Sequence, residues 1–184
     1  MSDEFGFTDV IEYTQLRTRA INLLDRCLTE GDDRQLLSFV EEQIVHEPPR
    51  ITLLRELADD LQLRLLSLKE HRFDVRDRIV NLFRDYGVDV TGVAPPDALD
   101  RYHTLTAADL MGCVGRSQAT LAAQDAMLLR KAVEASLITT AQLTADIELT
   151  ARLHRYVVDW LRGLNAVEAR RRKPDEPVAA GYMQ

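Results

Sequence analysis

Leu105, Ala108, Gly112, Gly115, Ala119, Ala122, Ala126, Leu129, Val133, Ser136, Thr140, Leu143, Ile147, Thr150, His154, Val157, Leu161 and Leu164 follow one another in steps of three and four. None carries a charge when histidine is neutral. In a chain with 29% charged residues, an uncharged run of this length in one register has a chance probability of about 0.002. Such steps return to one side of an α-helix, so these residues form a stripe of the kind that makes a bundle or coiled-coil seam.

A second ladder precedes it: Leu54, Ala58, Leu61, Leu65, Leu68, Arg72, Val75, Ile79, Leu82 and Tyr86, with Arg72 its one charged rung. Phe73, Val80 and Phe83 widen its second half, enough apolar face for another neighbour. Arg72 either pairs with an acidic residue on a facing helix or runs its charge out to solvent along its methylenes.

The prolines punctuate these patterns at Pro48-Pro49, Pro95-Pro96, and Pro174 with Pro177, because proline cannot continue a helix. Thr8 or Asp9 can cap a first helix whose stripe is Tyr13, Leu16, Ala20, Leu23 and Cys27, with Gly31 as its left-handed stop. Asp32-Asp33 offers carboxylates to a second helix carrying Leu36, Phe39, Val40, Gln43 and Ile44. Pro49 suits the first turn of a third, which Gly87 ends. Thr106-Ala107-Ala108-Asp109 has the form of a capping box with Asp in place of Glu. The expected architecture is all-α: an elongated antiparallel bundle of coiled-coil-like helices over about 9–30, 33–47, 50–86 and 106–170, one domain over 1–173, and a disordered tail over 174–184.

Length turns this into a statement about assembly. A helix from Leu105 to Leu164 would measure roughly 90 Å at 1.5 Å per residue, against a radius of gyration of roughly 16 Å for a compact chain of this size. Either the molecule is a rod or is paired through this helix, or the helix breaks, the candidate places being Gly112 to Ser117 and Ser136 to Thr140. The small rungs from Ala108 to Ala126 suggest the tightest helix crossing. Leu149, Leu153, Trp160, Leu164 and Val167 make a second stripe toward another neighbour.

The chemistry-bearing residues are sparse. Cys27 and Cys113 are too few for a disulfide framework and sit in helical patterns as core thiols. Glu42 and His46 share a helical turn, but His71 and His103 are scattered and no Cys-x-x-Cys completes a zinc set. Gly112-Cys113-Val114-Gly115 lacks the strand and Gly-Lys-Ser/Thr ending of a phosphate loop. No metal, cofactor or catalytic residue is assigned. A net charge of −7 argues against a chain built to grip nucleic acid or anionic lipid. The acidic amino terminus lacks the features of a secretion signal and no apolar stretch reaches a membrane span, so the cytoplasm is the expected location.

The function these features support is a non-enzymatic helical interaction module, an adaptor, scaffold or assembly factor that binds protein partners and a second copy of itself. Its expected seam comprises Leu54, Leu61, Leu65, Leu68, Arg72, Ile79, Gly112, Gly115, Ala119, Ala122, Ala126, Leu143, Ile147, His154 and Leu161. Two alternatives come from other classes. Arg170, Arg171, Arg172 and Lys173 form a basic helix end that a regulator would place on nucleic acid, although cations also suit a helix C-terminus. His154, with Thr150 and Trp160 nearby, would line a ligand or cofactor cavity in a bundle.

Overall fold

A computed structural model describes residues 7–88, 106–118 and 120–172, the side chains of 7–9 and 170–172 excepted. Helix is the regular secondary structure throughout these residues: α1 (Phe7–Glu30), α2 (Arg34–Val45), α3 (Ile51–Asp85), α4 (Ala107–Ser117) and α5 (Ala123–Arg172). The expectations for Ala119 and Lys173, and for the tail 174–184, lie outside the described residues.

The stops and starts follow local chemistry. Gly31 takes φ 70° and its N–H donates to the Cys27 carbonyl at 2.8 Å, closing α1. Gly87 takes φ 63°, and Val88 N–H reaches back to Phe83 O at 2.8 Å, the six-to-one bond of a Schellman stop. At α4 both halves of the capping box form. Asp109 N–H donates to Thr106 Oγ1 at 3.2 Å, and Thr106 N–H to Asp109 Oδ2 at 2.8 Å. At α2 the carboxylate that accepts the Arg34 N–H, at 3.1 Å, is that of Asp32.

The long last helix expected over 106–170 is two helices. Ser117 is buried, and its hydroxyl donates to Val114 O at 2.7 Å. Its carbonyl then accepts from the backbone of both Thr120 and Leu121 at 3.0 Å and from the Thr120 hydroxyl at 3.1 Å. These bonds satisfy the end of α4 without a continuing helix. The break falls just after Gly112 to Ser117; Ser136 to Thr140 stays helical.

Contacts gather the chain into two compact units, Met1–Leu63 with Leu149–Gln184, and Arg64–Glu148. In the first, α1, α2, the start of α3 and the end of α5 share a core of Ala20, Leu24, Cys27, Leu36, Phe39, Val40, Ile44, Leu53, Leu54, Leu57, Ala58, Leu61, Leu153, Val157 and Leu161. Its rim fixes the helix directions. Arg26 reaches Gln35 and Arg19 reaches Glu42, so α1 and α2 run antiparallel. Glu12 meets Arg50 and Arg17 meets Glu56, so α1 and α3 run parallel. Arg152 reaches Asp33 at 2.6 Å and Tyr156 donates to Glu41 at 2.9 Å, which brings α5 along α2. Such exposed pairs contribute roughly 0–1 kcal/mol each. Apolar burial holds this bundle, and the pairs register it.

In the second unit the core is Ile79 and Phe83 of α3, Leu110, Cys113 and Val114 of α4, and Leu129 and Val133 of α5. The buried face of α4 is Leu110, Cys113, Val114 and Ser117. It is not the small-residue stripe, because a larger side chain removes more apolar area from water.

Candidate functional site

Two surfaces stand out, one in each unit. In the first unit a groove of about 740 Å³ runs between the start of α1 and the link into α3. Val10, Tyr13, Leu16, Pro48, Pro49, Ile51 and Leu53 give it apolar walls, and Glu12, His46, Arg50, Thr52 and Glu56 supply polar atoms. The volume lies in the range of small-ligand and peptide sites.

Arg50 organises one side of the groove. Its guanidinium donates to Glu12 Oε1 at 2.6 Å, to Gln43 Oε1 at 3.0 Å and to His46 Nε2 at 3.0 Å. Because a guanidinium only donates, His46 Nε2 must accept. The imidazole proton therefore sits on Nδ1, 3.0 Å from the Pro48 carbonyl that receives it. Gln43 is fully buried and spends its amide on Phe39 O at 3.2 Å. On the opposite side, burial and the adjacent Glu56 carboxylate push the Tyr13 hydroxyl up to about 12. Glu56 is in turn held by Arg17 at 2.9 Å.

The second surface is on α5. From Ala135 to Ala145 the sequence ASLITTAQLTA has no charge on any side of the helix, yet Leu143 alone of these eleven residues is buried. Ile138 is 62% exposed. On α3, within the same unit, no residue from Leu66 to Asp74 is buried, and Leu66 and Phe73 are exposed. Five of the eleven are polar, but Ser136, Thr139, Thr140 and Thr144 turn their hydroxyls back onto carbonyls of their own helix, leaving Ile138 as an exposed apolar side chain among uncharged neighbours.

The expected seam divides on this structure. Leu54, Leu61, Leu65, Ile79, Ala126, Leu143, Ile147 and Leu161 are buried. Leu68, Arg72 and His154 are half-buried, and Arg72 makes no ion pair among the described residues. Within the chain the small rungs make no tight crossing at Gly112 or Gly115. A Cβ on Gly115 would meet nothing within 4 Å, and one on Gly112 only the Arg116 side chain at 3.7 Å. Ala108 and Ala122 are exposed. Phe73, read as widening the α3 face, is also exposed, whereas Val80 and Phe83 are buried.

His154, Thr150 and Trp160 do not line the groove. Thr150 is buried, and Trp160 is exposed with its ring edge-on to Tyr156 at 6.3 Å. Glu42 bonds to Arg19 and His46 to Arg50 and Pro48, so the two are not brought to one ligand. Among the described residues no three metal-binding side chains cluster, and no helix is long and apolar enough to cross a membrane. Arg170, Arg171 and Arg172 close α5, their side chains outside the described set. The groove is not visible in the sequence, because Tyr13 and Arg50 lie far apart in the chain and come to line it only when α1 packs beside the α2–α3 link.

No known protein family, curated protein or solved structure matches this chain.

Proposed function

We propose that this protein is a non-enzymatic helical interaction module, an adaptor, scaffold or assembly factor that recognises protein partners, itself included, through the outer faces of its long helices. The observation that carries this reading is the uncharged run Ala135–Ala145, ten of whose eleven residues stay exposed or half-buried within the chain. Leaving Ile138 in water forgoes a favourable burial that a facing helix would supply. The small residues flanking it, Ala135, Ala141 and Ala145, permit a helix to come close.

A photo-reactive amino acid placed at Ile138 in the full chain, expressed in cells, tests the reading, with Asp159, also exposed, as the control position. The expected result is a covalent protein adduct of defined mass at 138 and none at 159. No protein adduct at 138 contradicts it.

A second reading rests on the groove. Apolar walls around a few oriented polar groups suit an apolar ligand or an extended peptide end, which supports a ligand-binding reading at Tyr13 and Arg50 rather than at His154. Line broadening or shifts confined to α1 and the α2–α3 link on adding a ligand would support it.

A further inference from the structure

The outer ladder of α5 in the second unit is Met127, Lys131, Glu134, Ile138, Ala141, Ala145 and Glu148, again in steps of four and three. All are exposed except Glu134, which is half-buried and already tied to Arg130 at 2.8 Å. From Lys131 to Glu148 the spacing reads the same in both directions: three, four, three, four, three. A ladder of this symmetry can pair with a reversed copy of itself so that every rung meets a rung. Reversal about the midpoint between Thr139 and Thr140 sets Lys131 opposite Glu148, Glu134 opposite Ala145, and Ile138 opposite Ala141.

The content of the rungs fits that reversal. Ile138, the most exposed large apolar side chain on the ladder, meets the small Ala141, a knob against a hole, and by symmetry this happens twice. Lys131 and Glu148 bracket the uncharged run with opposite charges, and neither has an ion-pair partner among the described residues. Parallel pairing in register would set Lys131 against Lys131 and Glu148 against Glu148, which is unfavourable. Reversed pairing turns both repulsions into attractions. A two-fold interface of this kind is self-complementary and closes at two copies.

We infer that the partner of this face is a second copy of the chain, packed antiparallel through α5 with Ile138 on Ala141 at the centre and Lys131–Glu148 pairs at both ends. The inference rests on the interaction-module reading and specifies which partner fills its surface.

A charge-swap series read by sedimentation equilibrium on the full chain tests it. Wild type should be a dimer whose dissociation constant rises with salt. Lys131→Glu and Glu148→Lys should each weaken it about tenfold at low salt, since each substitution converts two attractions into repulsions. The double variant should return to within about threefold of wild type. Equal weakening without rescue overturns the register, because non-specific loss of charge would be additive. A short bis-maleimide applied to mixed Lys131→Cys and Glu148→Cys chains should join one of each; 131–131 products overturn the antiparallel arrangement. If wild type is a monomer at every concentration, the self-pairing is overturned. A heterologous photo-adduct at 138 would then still leave the interaction-module reading in place, and its absence would remove both.

Discussion

Arg50 meets Gln43 twice: its guanidinium donates to Gln43 Oε1 at 3.0 Å, and its backbone N–H donates to the Gln43 carbonyl at 3.1 Å. One arginine therefore closes the link between α2 and α3 and fixes one wall of the groove. Gln43 is fully buried, so its amide oxygen has no water to fall back on. Gln43→Leu should lower stability by about 1–3 kcal/mol, because it leaves an Arg50 N–H without its acceptor and removes the bond to Phe39 O. Thermal unfolding checks this, and unchanged stability would contradict the role given to the pair.

Thr106 and Asp109 should matter in a pH-dependent way. Thr106→Ala removes the side-chain cap of α4 and should cost about 1 kcal/mol. The Thr106 hydroxyl and backbone N–H, donating to Asp109, hold its carboxyl below the usual range. A carboxyl lowered by folding contributes stability above its unfolded pKa, and that stability is lost as pH falls through the folded one. The difference between wild type and Asp109→Asn should therefore be full at neutral pH and shrink below about pH 4. A difference that persists unchanged in acid would contradict the capping-box contribution.

Tyr13 works at the other end of the scale. Burial and Glu56 raise its hydroxyl to about 12. A group whose folded pKa exceeds its unfolded value near 10 contributes stability that is fully present below pH 10 and is lost as pH rises through 12. Burial and Glu41 raise the Tyr156 hydroxyl as well, so tyrosinate absorbance should show more than one late ring, and Tyr13→Phe should reduce the late absorbance by one ring and flatten the alkaline loss of stability. A late absorbance of unchanged size in the variant would contradict the place given to Tyr13.

Phe39 and Phe73 should separate core from surface. Phe39 is 1% exposed within the first unit, and Phe39→Ala should cost about 3–5 kcal/mol. Phe73 is exposed, and Phe73→Ala should stay within about 1 kcal/mol. Chemical denaturation of the two variants checks the ranking; a larger loss at Phe73 would contradict its placement.

Much of the local structure was legible because it depends on a few neighbouring residues. Gly31 and Gly87 stop helices where a left-handed residue is needed, and Thr106 with Asp109 starts one. Leu36, Phe39, Val40, Gln43 and Ile44 are all buried on α2, as their spacing requires. The long ladder misled where it counted absence of charge as burial. Ala108, Gly115 and Ala122 are uncharged, yet they have little apolar area to hide, so Leu110, Cys113 and Val114 took the core instead. The break after Ser117 carries no proline or glycine and rests on hydroxyl-to-carbonyl bonds that compete with the helix. Arg72 is half-buried and makes no ion pair among the described residues. The groove was not legible at all, since its walls come from segments some forty residues apart.

In the pairing inferred above, a second copy closes the uncharged outer face of α5. Sedimentation equilibrium of the wild-type chain beside Ile138→Glu tests it most directly. The wild type should be a reversible dimer and the variant a monomer of unchanged helical circular dichroism. A wild-type monomer at all concentrations, or a variant that keeps the dimer mass, would contradict it.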